Sequence, residues 1–210
     1  MQSDKEGEVI RTAEISARER YQLLISLVVP RPIGWLSTFS ADGRANLAPF
    51  SYFAALADTP MLVGASIGQR GSAPKDTLRN IRETGACCVN VVTESQLEAM
   101  NLTSGDFPPG VDEFQAAGLP MARASLVNAP YVGNCPAVLE CRLHQEVDLG
   151  SPSSTLVIAE VVAVHLDPTL ERAAGTQYVT TESLRPVGRL AARAYALIGE
   201  IKKLDRPKVD

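Results

Sequence analysis

The sequence predicts a mainly β fold, a barrel carrying short helical insertions. Two observations lead there. Runs rich in Val, Leu and Ile recur at Met61–Ser66, Ala86–Thr93, Ala137–Val147 and Leu156–Leu166, and a strictly alternating hairpin precedes them. The helical stretches between them are short, and no regular strand–helix–strand alternation appears. A doubly wound sheet is therefore disfavoured, as is a Rossmann fold, since no GxGxxG follows a strand.

The elements follow in order. Ser16 with Glu19 three residues later is a capping box, predicting a helix from Ser16 to Leu27. Pro30 and Pro32 bracket Arg31 and force extended backbone. From Ile33 the chain alternates: Ile33, Trp35, Ser37 and Phe39 share one face, Gly34, Leu36, Thr38 and Ser40 the other. Ser40-Ala41-Asp42-Gly43 is the turn, and the return strand runs from Ala45 to Phe50. A helix is expected from Asp76, as N-cap, to Thr84, stopping at Gly85. Thr93 and Gln96 predict a second capping box and a helix to Leu102. Val111 to Ala117 is a short third.

The chain has 210 residues, 45% apolar, enough for one sizeable core without staples. Residues 1–16 read as a polar arm, 17–200 as a single domain and 201–210 as a charged tail. The net charge of -4 argues against nucleic acid, which needs a basic stripe. A polar opening, MQSDKEGEVI, predicts neither signal peptide nor membrane span, and the cytoplasm is the expected location. Cys87, Cys88, Cys135 and Cys141 include no CxxC, and adjacent strand residues point apart. Four reduced, mostly buried thiols are expected, with no metal site. His144 and His165 fall in apolar strand-like runs.

Three segments carry chemistry. Trp35, Ser37, Thr38, Asn46, Ala48 and Ser51 pair ring-sized apolar surface with short polar groups, and Pro49 keeps the chain extended beside a flat ligand. The second segment, Gly68 to Thr77, leads through two glycines into a helix start. Free N–H groups, Lys75, Arg70 and the Thr77 hydroxyl would favour an anion there. In the third, Leu184-Arg185-Pro186-Val187-Gly188-Arg189-Leu190, two arginines are pinned by a proline. Each segment also has a plain reading: an amphipathic hairpin, a solvated loop and a basic connector.

In this order, PRPIGWLST, DGRANLAPFSYF, KDTLRNI, PPGVDEF and LRPVGRL make the chain resemble the flavin reductase-like family, from about Tyr21 to Tyr195. The resemblance implies a six-stranded FMN-binding split barrel that forms a homodimer with FMN near the interface. Pro32 to Thr38 and Asn46 to Ser51 would line the isoalloxazine and ribityl groups. Ser37, Thr38 or Ser51 would donate to N5 or the pyrimidine edge, and Lys75, Asp76 and Thr77 would meet the phosphate. Arg189 would reach a flavin from the C-terminal segment. Where members carry small glycines, this chain has Leu190-Ala191-Ala192-Arg193, which leaves the roles of Arg193 and Tyr195 open. No acid–base set is needed, because the flavin carries the redox chemistry. The expected activity is an NAD(P)H-dependent flavin reductase, binding FMN (with FAD as the alternative) and feeding a partner oxygenase or other acceptor. The alternatives are an FMN-binding electron carrier that does not use NAD(P)H, and an empty barrel serving protein association.

Overall fold

A computed structural model describes residues 7–71, 73–108, 110–150 and 154–209. Residues 1–6 of the expected arm, Ser72 and Pro109 in the two loops, and Asp210 of the tail lie outside the described residues.

Helix α1 (Ala17–Leu27) begins at the expected capping box: Glu19 N donates to Ser16 Oγ at 3.2 Å and Ser16 N to Glu19 Oε2 at 2.8 Å. Ile25 alone is buried along it, so α1 lies on the surface of the domain. Strands β1 (Gly34–Phe39) and β2 (Ala45–Phe50) pair from Gly34↔Phe50 to Phe39↔Ala45. Gly43, at φ 82°, closes their turn with its N–H on Ser40 O at 2.9 Å. After a two-residue bend at Ser51–Tyr52 come β3 (Phe53–Asp58) and β4 (Met61–Arg70), then α2 (Asp76–Thr84) and β5 (Ala86–Val91). The helices α3 (Leu97–Leu102) and α4 (Glu113–Ala116) precede the two long strands β6 (Ala137–Asp148) and β7 (Ser154–Leu166). A four-residue helix α5 (Thr181–Leu184) follows.

The strands form one antiparallel sheet in the order β2-β1-β5-β6-β7-β4-β3, with Ala73–Pro74 paired to the end of β4. Both edges of that order are consecutive in the chain, so the curved sheet returns on itself at Ser51–Tyr52. Ser66 N donates to Tyr52 O there at 2.8 Å. The sheet thus has eight paired strands where six were expected. The difference is β3, whose alanine-rich FAALAD lacks alternation, and the two-residue strand. With residues 45–58 taken as one bent strand, six long strands remain.

One face of the sheet buries Leu36, Phe50, Val63, Ile67, Val89 and Val157 against Leu78 and Ile81 of α2. The other buries Trp35 and Leu47 with Met100 of α3, Phe114 of α4 and Val187. Cys87 falls in the first cluster and Cys88 on the opposite face, and all four cysteines are free. Among the described residues no helix is long and apolar enough to cross a membrane.

Helix starts differ from expectation in three places. Lys75, not Asp76, is the N-cap of α2, with no side-chain cap; Asp76 is the first helical residue and pairs with Arg79 at 2.6 Å. Thr93 makes no backbone cap: its hydroxyl meets Gln96 Oε1 at 3.4 Å, a three-residue turn intervenes, and α3 starts at Leu97. The third helix is shorter than Val111–Ala117 because Asp112 caps it, accepting from Phe114 N at 2.9 Å.

Candidate functional site

The bend between β2 and β3 is lined on its outer side by three adjoining hollows. The first, of about 80 Å³, lies between α2 and β2, where Lys75, Asp76 and Thr77 meet Asn46, Ala48 and Pro49. Pro49 and Ser104 lead into a second of about 170 Å³, which holds Arg31, Ser51 and Arg189. Arg31 and Ser51 lead on to a third of about 530 Å³, walled by Pro32, Tyr52, Phe53 and Leu56 and almost wholly apolar.

Nine of the twelve expected residues therefore border one groove: Pro32, Asn46, Ala48, Pro49, Ser51, Lys75, Asp76, Thr77 and Arg189. Trp35, Ser37 and Thr38 do not. All three are 0% exposed, and their polar atoms are used internally. Trp35 Nε1 donates to Thr103 Oγ1 at 2.9 Å. Ser37 Oγ donates to Pro130 O at 2.6 Å and accepts from Asn90 Nδ2 at 2.9 Å. Thr38 Oγ1 accepts from Asn80 Nδ2 at 3.0 Å. The side chains expected to line or donate to a ring are enclosed in the core instead, because both faces of β1 are covered, one by α2 and the other by the cluster around Met100, Phe114 and Val132.

Electrostatics distinguish the two ends of the groove. At the α2 end, the first-turn N–H groups have no side-chain cap, and Lys75 has no carboxylate partner among the described residues. Its ammonium stands 5.7 Å from the Phe50 ring centroid. The nearby acids are muted. Asp76 is paired with Arg79, and Arg70 lies 3.6 Å from Asp106. Thr77 Oγ1 donates to Asn46 Oδ1 at 2.8 Å, and Asn46 Nδ2 donates to Glu113 Oε1 at 3.1 Å. Glu113 also accepts from Leu47 N at 3.0 Å, yet burial pushes its pKa up.

Two further side chains, Glu113 and Arg31, hold the walls of the groove in place. Glu113 of PPGVDEF closes the Thr77–Asn46 chain. Arg31 of PRPIGWLST is buried and ties together three segments. Its Nη1 donates to Ile25 O (2.7 Å) and Val28 O (2.8 Å), Nη2 to Leu190 O (3.0 Å), and Nε to Ser51 Oγ (3.4 Å). The signal available was the motif itself; the partners lie up to 159 residues away.

Residues 26–182 match the family described as the flavin reductase like domain. The chain belongs to that family. An uncharacterized protein of Halalkalibacterium halodurans is 38% identical over 200 residues, covering 93% of this chain and 94% of that protein. Nitrilotriacetate monooxygenase component B from Bacillus cereus superposes with a TM-score of 0.90 at 30% identity, over 95% of this chain and 99% of that one. The 2-nitrobenzoate 2-nitroreductase of Pseudomonas fluorescens superposes with a TM-score of 0.86 at 28% identity, over 95% and 96%. The fold is the flavin reductase split barrel, and membership supports an oxidoreductase that uses a flavin.

The donor set in the groove fits such a group. A basic, uncapped helix start suits a phosphate, small Ala48 and rigid Pro49 leave room for a flat ring, and the far end is apolar.

Proposed function

We propose that this flavin reductase-like chain is an NAD(P)H-dependent oxidoreductase that binds FMN in the groove and passes reduced flavin, or electrons, to a partner such as an oxygenase. The observation that carries the reading is the groove's polarity: Lys75 at an uncapped helix start at one end, a broad apolar hollow at the other, and Ser51 between them. Bound FMN supplies a ring that accepts hydride and releases electrons.

The chain's own residues then divide the work. Lys75 and the first-turn N–H groups of α2, those of Asp76 and Thr77 included, hold the phosphate. The Thr77 hydroxyl is already spent on Asn46, so that side chain fixes the Asn46 amide at the groove wall. Ala48 and Pro49 form the flat side. Ser51 accepts from Arg31 and keeps its hydroxyl hydrogen for a carbonyl or ring nitrogen. Pro32 and Arg189 border the ring end. Leu24, Val28, Tyr52 and Leu56 are exposed around the apolar hollow, and a second copy of the chain would cover them, placing the flavin near a dimer interface.

Flavin-stripped protein, assayed for NAD(P)H oxidation with and without added FMN, tests this. Turnover that saturates with FMN is expected. FMN binding without turnover would point instead to an electron carrier with another donor. Neither binding nor turnover would overturn the flavin assignment.

A further inference from the structure

A fourth hollow, of about 350 Å³, shares Asn46, Asp76 and Glu113 with the phosphate end of the groove, but Lys75, Ala48 and Pro49 do not border it. Its size falls within the ~300–1,000 Å³ of small-molecule sites. Helix α2 turns one face to it, with Asp76, Arg79, Asn80 and Glu83 at the i, i+3, i+4 and i+7 spacing of neighbours on a helix. Its charges are unequal. Asp42, Asp76, Glu83 and Glu113 face two guanidiniums, and each guanidinium is already paired, Arg44 with Asp42 at 2.9 Å and Arg79 with Asp76 at 2.6 Å. Glu83 has no cationic partner among the described residues, where it accepts only from Ala41 N at 3.4 Å. Asn80 points to a ligand independently of these charges. It is 1% exposed, its Nδ2 donates to Thr38 Oγ1 at 3.0 Å, and its Oδ1 has no partner. Thr38 does not border the hollow, so the nitrogen end of the amide faces the sheet and the oxygen end is left to the hollow. A buried carbonyl oxygen without a donor is a standing cost, and here it lies on the same helix face as an unpaired carboxylate.

We infer that this hollow is a binding site for a short aliphatic diamine, with one ammonium donating to Asn80 Oδ1 and the Glu83 carboxylate. What the walls lack is donors, and an ammonium brings three of them with a positive charge. Four carboxylates against two guanidiniums leave an excess of two negative charges when Glu113 is ionised, which a diamine matches. An anion is disfavoured by that sign, so the hollow is not an extension of the phosphate site. A single metal ion is disfavoured by geometry, because the described residues hold no group of three acidic, histidine or cysteine side chains close enough to share one. Negative charge spread over several points suits a ligand whose own charges are separated, and Ala41, Ala45 and Val111 offer apolar surface for the methylenes between them. The site stands apart from the proposed FMN reading and does not rest on it.

The test is a calorimetric titration of the full chain at neutral pH with putrescine and with butanediol, an uncharged molecule of the same length. Saturable putrescine binding at one site per chain is expected, with butanediol about tenfold weaker or more. Glu83→Gln, at an exposed position, should weaken putrescine about threefold to fivefold and leave butanediol unchanged. Asn80→Leu removes the unpaired acceptor and should weaken putrescine about tenfold; where that variant does not fold, Glu83→Gln decides alone. Equal affinities for the two ligands, or no saturable putrescine binding, would overturn the inference and leave Asn80 Oδ1 to water. An unchanged putrescine affinity in Glu83→Gln would overturn it as well. Displacement of putrescine by FMN would do the same, by making the hollow part of the flavin groove. Failure to take up FMN, with putrescine still bound, would overturn the cofactor assignment and leave the diamine site standing.

Discussion

Two buried carboxylates, Glu140 and Glu113, show how the same side chain serves opposite purposes at two places around the sheet. Both are shielded from water, and both accept from backbone N–H groups. Burial alone would raise the pKa of Glu140. It is overcome by donations from Ser125 N (2.7 Å), His165 (2.5 Å), Ser125 Oγ (2.7 Å) and Leu126 N (2.6 Å), which hold the pKa at about 2. Burial of Glu113 outweighs the donations from Asn46 Nδ2, Leu47 N and its own backbone N–H, with the Asp76 charge nearby, so its pKa rises. The number of donors decides the sign. A carboxylate given four donors is a brace, here pinning the 125–126 turn to β6 and β7. One given fewer, beside the groove, has its charged form disfavoured by burial.

The largest test of this contrast is Glu140→Ala. It removes the fully buried acceptor of the Ser125 and Leu126 N–H groups and of His165, and should cost about 3–5 kcal/mol in urea unfolding. Glu140→Gln, which keeps one acceptor, should recover part. The pH dependence follows from the lowered pKa. The unfolded carboxyl titrates near its ordinary value of 4.5 and the folded one near 2, so the stability from Glu140 is complete above about pH 4.5 and is lost as pH falls through about 2. The Ala variant should show a flatter acid limb. An unchanged limb would assign acid sensitivity to other groups.

Next in size is Trp35→Phe, which separates the core half of the first hairpin from its groove half. Losing the bond to Thr103 and some core volume should cost about 2–3 kcal/mol of stability, with FMN affinity unchanged once the protein is folded. A large affinity loss would return Trp35 to the ligand. The hairpin also shows what the sequence could reveal. The turn at Gly43, the bounds of β2 and the stop at Gly85 rest on local rules, and the structure has each where those rules put it. Alternation likewise placed Trp35 and Leu36 on opposite faces. It could not say that both faces are covered. The groups that bury Ser37 and Thr38, namely Asn80, Asn90 and Pro130, arrive from 42 to 93 residues away. The same distance hid Glu113 behind a four-residue helix, and Glu140 and His165 25 residues apart on neighbouring strands.

Lys75→Ala addresses the groove's basic end. Removing the ammonium from the uncapped start of α2 should weaken FMN by about 1–3 kcal/mol, the loss of a charge-assisted hydrogen bond, with little change in stability. Fluorescence titration of FMN reads it directly. Affinity that stays the same would remove Lys75 from the phosphate site and shift the reading toward Arg70.

The smallest effect, and the sharpest on the comparison, is expected from Glu113→Gln. A raised pKa means that the stability this carboxyl contributes is present below the ordinary carboxylate value and is lost as pH rises through the raised one, the reverse of Glu140. At neutral pH the ionised form is therefore a cost, and the uncharged amide removes it. The Gln carbonyl can still accept from one of Asn46 Nδ2 and Leu47 N, so stability should change by less than about 1 kcal/mol, with either sign. The effect on the ligand has a definite direction. The Glu113 charge sits two hydrogen bonds from Thr77, beside the helix start that receives the phosphate, so the substitution should tighten FMN by a factor of a few at neutral pH. At a pH low enough to protonate the native carboxyl, the two proteins should bind alike. Weaker FMN binding in the variant at every pH would show that the Thr77–Asn46–Glu113 chain acts by holding Asn46 in position, and that its charge is incidental.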